Sequence, residues 1–462
     1  MAKAISNGRL FQSHTERPFD KELISYLRNS RYDYREYAHL IGPHAYHLDA
    51  KKFKIINQYP PGTGLLLSIF PFDKRQIVFP VVNAFILIFC MLIAFKIKNS
   101  EISFYDLNLL VLIALIFFNT FALKDNFFWV NSIGPTYGIL LAAGYLLDKK
   151  PGLSILFLGL STIFRIANAI LFIPFFIIYA LKEGLSKFSL KDVLLKPGRA
   201  SFLFLGGGLW FYLVYVWILL GNPFASTYSY IDQAYTFQIK NIFGNAAFYF
   251  SFQNKWFLLH ISILFLIVVM RVFWKIPGKW IFISLGLAVF NYVFYLLHEV
   301  KIFYYPFASS IVILGILLCQ FEEKTKKKEF SKIINIIGIL AMLLSLNSSI
   351  REFPRQSLRK NFYDKVKIYT DRFSAYDVIW AELRSGTIEY TTGKASFRYQ
   401  WGPQNVRDDV MRWLKSHGYR QAVWVSDLDM TIQENIEKDL LGVPLEYKVI
   451  TSHEFGKLIE IR

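Results

Sequence analysis

The chain has 462 residues, 54% of them hydrophobic and 18% aromatic, with 45 Phe and 27 Tyr. Apolar runs near 20 residues recur along it, which excludes an ordinary soluble globular class and points to a polytopic membrane protein. The net charge of +18 is no signature of nucleic acid, because much of the basic excess sits in short loops beside the apolar runs.

Residues 1–56 are polar and hold no spanning segment. The opening, MAKAISNGRLF, reads as a helix already in progress that stops at Asn7–Gly8. Glu22–Arg28 is a second helical stretch. Asp33–Leu40 is a third, with Asp33 as N-cap and Glu36 at the capping-box position. A sharp corner follows at Tyr59–Pro60–Pro61–Gly62. Two prolines fix two φ angles and remove two amide donors, so no helix runs through them. Gly62 lets the chain reverse, and Thr63 is placed to cap a new helix. Thr63–Phe70 is apolar but too short to cross a bilayer, and it reads as an interfacial helix.

Ten spans are expected at 77–95, 106–123, 130–147, 152–164, 167–181, 200–220, 256–273, 280–297, 302–320 and 332–349. The short pair 152–164 and 167–181 fits two half-length or tilted helices that meet at Arg165. Seventeen Lys and Arg residues lie in the short loops on one side, against four (Lys124, Lys240, Lys255 and Lys301) on the other. The first side is therefore expected to be cytoplasmic. Residues 1–76, the 221–255 loop, Arg165 and the C-terminus then face outward. Cys90 and Cys319 fall inside apolar runs and read as small buried hydrophobes.

From about residue 350 the chain is charged and lacks spans. Helices at 405–416 and 431–441 alternate with strands at 421–426, 447–451 and 457–461, which predicts a small α/β domain. The expected organisation is an outer loop region (1–76), a helical membrane domain (77–349) and an extracytoplasmic α/β domain (350–462).

Four groups of residues could carry chemistry. Arg165 is a charge within apolar sequence, read either as a snorkelling residue or as a phosphate ligand, since guanidinium meets phosphate oxygens as a fork. His298, Glu299, Lys301, Tyr304 and Tyr305 gather beside Pro306, either as an interfacial aromatic belt or as a surface for an anion and a sugar. His44, His47 and Asp49 have a spacing that could place three ligands on one divalent metal, against the plainer reading of a solvated loop. Asp33 is the outer carboxylate best placed as a general base, besides its role as a helix cap. No Gly-rich phosphate loop, Ser-His-Asp elbow or CxxC occurs, so cytosolic nucleotide chemistry is not indicated.

With these residues in view, the chain resembles the GT-C superfamily of polytopic glycosyltransferases, the class of protein mannosyltransferases and aminoarabinose transferases. YPPGTGLLLSIF is similar to the end of that family's first outer loop. LGLSTIFRIANAILFIPF is similar to its paired helices, and KIFYYPFASSIVIL to its late helix. The resemblance implies a polyprenyl-phosphate sugar as donor, with no resident cofactor. It implies Arg165 and Lys301 on the lipid phosphate, and Tyr59, Tyr304 and Tyr305 on the cavity wall. It also implies an acidic residue soon after a first span. No span precedes the outer loop here, and MAKAISNG is similar to the stretch that follows that acid. One more span and a carboxylate are therefore expected upstream of Met1, with Asp33 as the base in their absence. The expected partners are a lipid-linked sugar donor and membrane lipids, and the expected location is a bacterial inner membrane. The alternative is a non-enzymatic transporter or a surface-polysaccharide assembly protein. A transporter should show broken helices in two matching halves, whereas only one break, near Arg165, is legible.

Overall fold

The structure is a computed structural model. It describes residues 17, 19–42, 46–49, 54–57, 60–71, 75–119, 123, 131–182, 199–224, 238–298, 306–326, 373–381, 388–389, 392–399, 402–426, 447–453 and 456–461. In chain order the elements begin with α1 (Asp20–Asn29), α2 (Tyr34–Ile41), β1 (Tyr46–Asp49) and β2 (Lys54–Asn57). Then come α3 (Gly62–Ser68), α4 (Arg75–Asn99), α5 (Phe104–Asn119), α6 (Thr136–Leu146) and α7 (Pro151–Ser161). A 3-10 turn (Ile166–Leu171) leads into α8 (Phe172–Lys182). A wide helical turn (Leu205–Leu209) leads into α9 (Trp210–Leu220), followed by α10 (Asn241–Tyr249), α11 (Lys255–Trp274), α12 (Lys279–Leu297) and α13 (Phe307–Thr325). The chain ends with β3 (Val378–Ala381), β4 (Ala395–Arg398), α14 (Gln404–Ser416), β5 (Gln421–Ser426), β6 (Tyr447–His453) and β7 (Gly456–Ile461).

These elements form two compact units. Residues 60–224 and 238–326 make a helical unit, and residues 17–57 make the other together with 373–461. This division differs from the sequence boundaries of 1–76, 77–349 and 350–462. The polar N-terminal stretch goes with the C-terminal strands, and the Pro60–Gly62 corner goes with the helices.

The helical unit is built around α6, every residue of which is buried. A helix apolar on all sides belongs inside a bundle. It packs against α4, α7 and α13. The approach to α13 is close because of two glycines. A Cβ on Gly144 would lie 2.0 Å from the Val312 carbonyl oxygen, and one on Gly315 would lie 2.2 Å from that of Leu141. Small residues at such a crossing let two backbones touch, which is how helices associate where lipid gives no hydrophobic drive. At the far end of α13, Glu322 is buried. It accepts from Lys98 at 3.0 Å, Asn99 at 2.7 Å, Lys326 at 3.3 Å and the Tyr145 hydroxyl. One carboxylate thus ties α4, α6 and α13 together.

Among the described residues four helices are long and apolar enough to cross a membrane: Val78–Asn99, Arg199–Ile218, Lys255–Trp274 and Lys279–Leu297. Shorter apolar helices between 104 and 182 overlap the expected spans there. The expected span at 332–349 lies outside the described residues. On α11 the exposed residues Leu258, Ile261, Phe265, Val268 and Val272 form an apolar stripe, as do Phe282, Leu285, Val289 and Val293 on α12. An apolar stripe turned outward is the pattern of a helix that faces lipid. Cys90 and Cys319 are both buried and unpaired as thiols.

In the second unit a five-stranded sheet has the order β4-β3-β5-β7-β6. The pairs β3–β4 and β3–β5 are parallel, while β5–β7 and β6–β7 are antiparallel. Alternate strand residues serve two cores. Val378, Trp380, Phe397, Val423, Val425 and Ile459 pack with α14 and with Phe19, Leu23, Leu27, Tyr37 and Ile41 of the N-terminal segment. Ile379, Ala381, Ala422, Trp424 and Leu458 pack on the opposite face with Phe373, Tyr376 and Ile388. The sequence reading placed β5, β6, β7 and α14 to within two residues and did not find β3 or β4. The expected helix at 431–441 lies outside the described residues. Away from the sheet, β1 and β2 form an antiparallel hairpin.

Candidate functional site

The Pro60–Gly62 corner docks on the turn that ends at Arg165. Pro61, at φ −75° and ψ −15°, sets the entry to α3. The Gly62 amide donates to the Ile163 carbonyl at 3.0 Å. A Cβ at Gly62 would lie 2.7 Å from that oxygen and 2.8 Å from a Phe164 ring carbon, so only glycine allows this seat. Thr63 is not the cap that was expected. The helix starts one residue earlier, and the Thr63 hydroxyl donates instead to the Asn131 carbonyl at 3.1 Å. The Asn131 side chain accepts the amides of Ile133 and Gly134 at 2.8 and 2.9 Å and so starts the turn into α6.

Arg165 joins the two short helices. Its backbone is extended, at φ −148° and ψ 102°, between α7 and the 3-10 turn. Its amide donates to Ser161 O at 3.0 Å and its carbonyl accepts from Asn168 N at 3.1 Å. The buried Asn168 side chain donates to the Ser161 hydroxyl at 3.2 Å and braces the same turn. The half-buried guanidinium lies over the Phe307 ring, 5.5 Å from its centre. A cation on an aromatic face at that distance is attracted by the ring quadrupole.

Phe307 is the first residue of α13 and is fully buried. A polar network inside the bundle holds this helix start. Asn291 donates to the Pro306 carbonyl and to the Ser309 hydroxyl, both at 2.9 Å. His260 Nε2 lies 2.8 Å from the Ser309 hydroxyl, and Nδ1 lies 2.7 Å from that of Ser310 and 3.2 Å from that of Tyr292. Trp256 and Tyr137 meet the Phe307 ring at 5.9 and 6.0 Å. The sequence reading passed over His260, Asn291 and Ser309. Their signal was available, because a polar side chain inside a span is costly without a task.

The other expected residues fall elsewhere. Asp33 belongs to the second unit. It is exposed ahead of α2, and its amide donates to the Glu36 carboxylate at 2.8 Å, one arm of a capping box. Tyr59, Lys301, Tyr304 and Tyr305 lie outside the described residues, as do His44 and the side chains of His47 and Asp49. Among the described residues no cluster of His, Cys, Asp and Glu is arranged to hold a metal.

No family model matches the chain, and no curated protein matches it. Among solved structures, the crystal structure of ArnT from Cupriavidus metallidurans bound to undecaprenyl phosphate is similar, with a TM-score of 0.51 and 11% identity. The alignment covers 99% of this chain and 96% of that one. At this identity the likeness is one of fold alone.

Proposed function

We propose that the chain is an integral-membrane glycosyltransferase that moves a sugar from a polyprenyl phosphate to a lipid, glycan or protein acceptor outside the cytoplasm. The observation that carries this reading is the seating of the Gly62 corner on the turn of Arg165, with the guanidinium stacked on Phe307 at the head of α13. An arginine oriented in that way, at the edge of an apolar bundle, suits a phosphate on a lipid tail. The likeness of fold to a protein solved with undecaprenyl phosphate agrees with it.

In the proposed reaction an acceptor oxygen attacks the anomeric carbon, and the bond from that carbon to the phosphate oxygen breaks. The polyprenyl phosphate leaves with the electron pair. Arg165 and Lys301 stabilise the negative charge that grows on the leaving group. Tyr59, Tyr304 and Tyr305 line the sugar site, and Asp33 takes the acceptor proton. The test is polyprenyl-phosphate binding by purified protein in liposomes. Arg165→Lys replaces a fork by a point charge and is expected to weaken binding by about tenfold, the loss of one charge-assisted hydrogen bond. Unchanged affinity would remove Arg165 from the site. Asp33→Asn is expected to abolish transfer while sparing donor binding.

A further inference from the structure

The short helix α10 buries Asn245 beside Tyr249, which clusters with Tyr292 and Tyr295, while its exposed side carries apolar residues. Asn245, fully buried, donates to the carbonyls of Tyr295, Leu296 and His298 at 3.2, 2.8 and 2.6 Å. Asn241 adds a bond to the Leu297 carbonyl at 3.3 Å, and the Gln238 amide donates to the same oxygen at 3.0 Å. These acceptors lie at and just beyond the end of α12, where the last carbonyls of a helix lack a following turn, and that of Tyr295 also accepts the His298 amide at 3.3 Å. In water such groups are hydrated and need no dedicated donors. In hydrocarbon, where no water can replace the missing donor, each one must be met by the protein itself.

The other face is exposed and apolar. Phe243 is 86% exposed and Ile239 is 79% exposed, with Ala247 and Phe250 following at helical spacing. Phe252, 79% exposed, meets Phe257 of α11 at 6.4 Å between ring centres, and the exposed apolar residues Leu258 and Ile261 follow on that spanning helix. Lys240, just ahead of α10, and Lys255, the first residue of α11, are both exposed. Those are positions where the phosphates of a lipid headgroup layer would meet them.

We propose that α10 lies in the boundary layer of the bilayer, with Phe243 and Phe252 among the acyl chains and its asparagines capping α12 where water is excluded. The stretch 238–253 is then a membrane-immersed plug on the bundle and not an aqueous loop. This placement is independent of the reaction proposed above.

The test is site-directed spin labelling of the full chain in phosphatidylcholine–phosphatidylglycerol liposomes. Single cysteines replace Phe243, Phe252 and, as an aqueous reference, the exposed Lys415 on α14. The native Cys90 and Cys319 are buried, and unsubstituted protein sets the labelling background. Collisions with oxygen are expected to exceed those with a water-soluble nickel chelate at 243 and 252, and the order is expected to reverse at 415. Nickel dominating at 243 and 252 would place the helix in water and overturn the proposal. Low accessibility to both reagents would mean that protein covers this face, and would overturn it equally.

Discussion

At the scale of the residue, the helix start that carries Phe307 under Arg165 is held by a buried polar network. Asn291→Ala takes the donor from the buried Pro306 carbonyl and from Ser309. A buried acceptor left unmet costs about 1–3 kcal/mol, so thermal unfolding of the purified protein should shift downward. If Phe307 orients Arg165, the same variant should also raise the apparent KM for a lipid-linked donor more than it lowers kcat. A fall in kcat alone would separate the network from the site. Arg165 stood out in the sequence as a lone charge in an apolar run, and the structure places it at the junction of α7 and the 3-10 turn. His260, Asn291 and Ser309 stood out less, because single polar residues in spans are common and their partners come from three different helices. Thr63 shows the limit of local rules. A threonine after Pro-Gly looks like a cap, yet its hydroxyl goes to a carbonyl 68 residues away.

A second prediction at this scale concerns Arg17 and Glu389. The arginine fork meets the carboxylate at 3.2 and 3.0 Å, both groups are buried, and the guanidinium also donates to the Ile41 carbonyl. Burial pushes the Glu389 carboxyl above its ordinary range, and Arg17 offsets only part of that. Arg17→Met removes the offset and leaves an uncompensated charge, at a cost of about 3–5 kcal/mol near neutral pH. For a raised carboxyl the sign is fixed. The folded state is favoured below the unfolded pKa of about 4.3 and loses that advantage as pH rises through the folded value. The deficit of Arg17→Met is therefore expected to shrink as pH falls from 7 toward 5. Parallel unfolding scans of both proteins check this, and a deficit independent of pH would remove Glu389 as its cause.

At the scale of the element, apolar length was a dependable guide. A segment of about 20 apolar residues has only one stable solution in lipid, a helix with its backbone bonds closed on itself. Among the described residues, helices accordingly overlap the expected runs from α4 to α9 and from α11 to α13, whereas α10 falls in the stretch read as the 221–255 loop. The missed strands β3 and β4 have four residues each, all buried, so they lack the alternation that marks a strand with one wet face. Helix contacts left a quieter trace in glycines. Gly144→Ala would drive a methyl onto the Val312 carbonyl, and an overpacked core costs about 1–3 kcal/mol. Gly286, on the exposed side of α12, has nothing within 4 Å of its missing Cβ. Gly286→Ala is therefore expected to be neutral or to stabilise by about 0.5–1 kcal/mol. Unfolding midpoints of the two variants side by side test the crossing, and equal behaviour would mean that α6 and α13 do not touch as described.

At the scale of the whole molecule, the unexpected feature is a core shared by chain ends that are far apart in sequence. The Arg17–Glu389 pair joins residues separated by 372 positions. Phe19 meets Phe397 and Tyr419 edge-on, with ring centres 6.0 and 4.9 Å apart, and Leu23, Ile24 and Leu27 of α1 are fully buried in the same cluster. No local pattern announces such a pairing. α1 and α2 look like ordinary amphipathic helices, and β5 looks like a strand whatever lies on it. Composition separated the wet parts from the apolar ones, but it could not say that the two wet parts form one body. Residues 350–462 alone keep the sheet and α14 but expose the face that Phe19, Leu23, Leu27 and Tyr37 cover. Fully burying each such side chain is worth about 1.5–3 kcal/mol, and a domain is stable by only about 5–15 kcal/mol in total. Losing four of them removes most or all of that margin. A fragment of 350–462 is therefore expected to unfold without a cooperative urea transition, whereas a chain joining 11–59 to 353–462 through a flexible linker should unfold in one. Far-UV circular dichroism through a urea titration reads both, and a cooperative transition in the shorter fragment would show that the N-terminal helices are dispensable to the sheet.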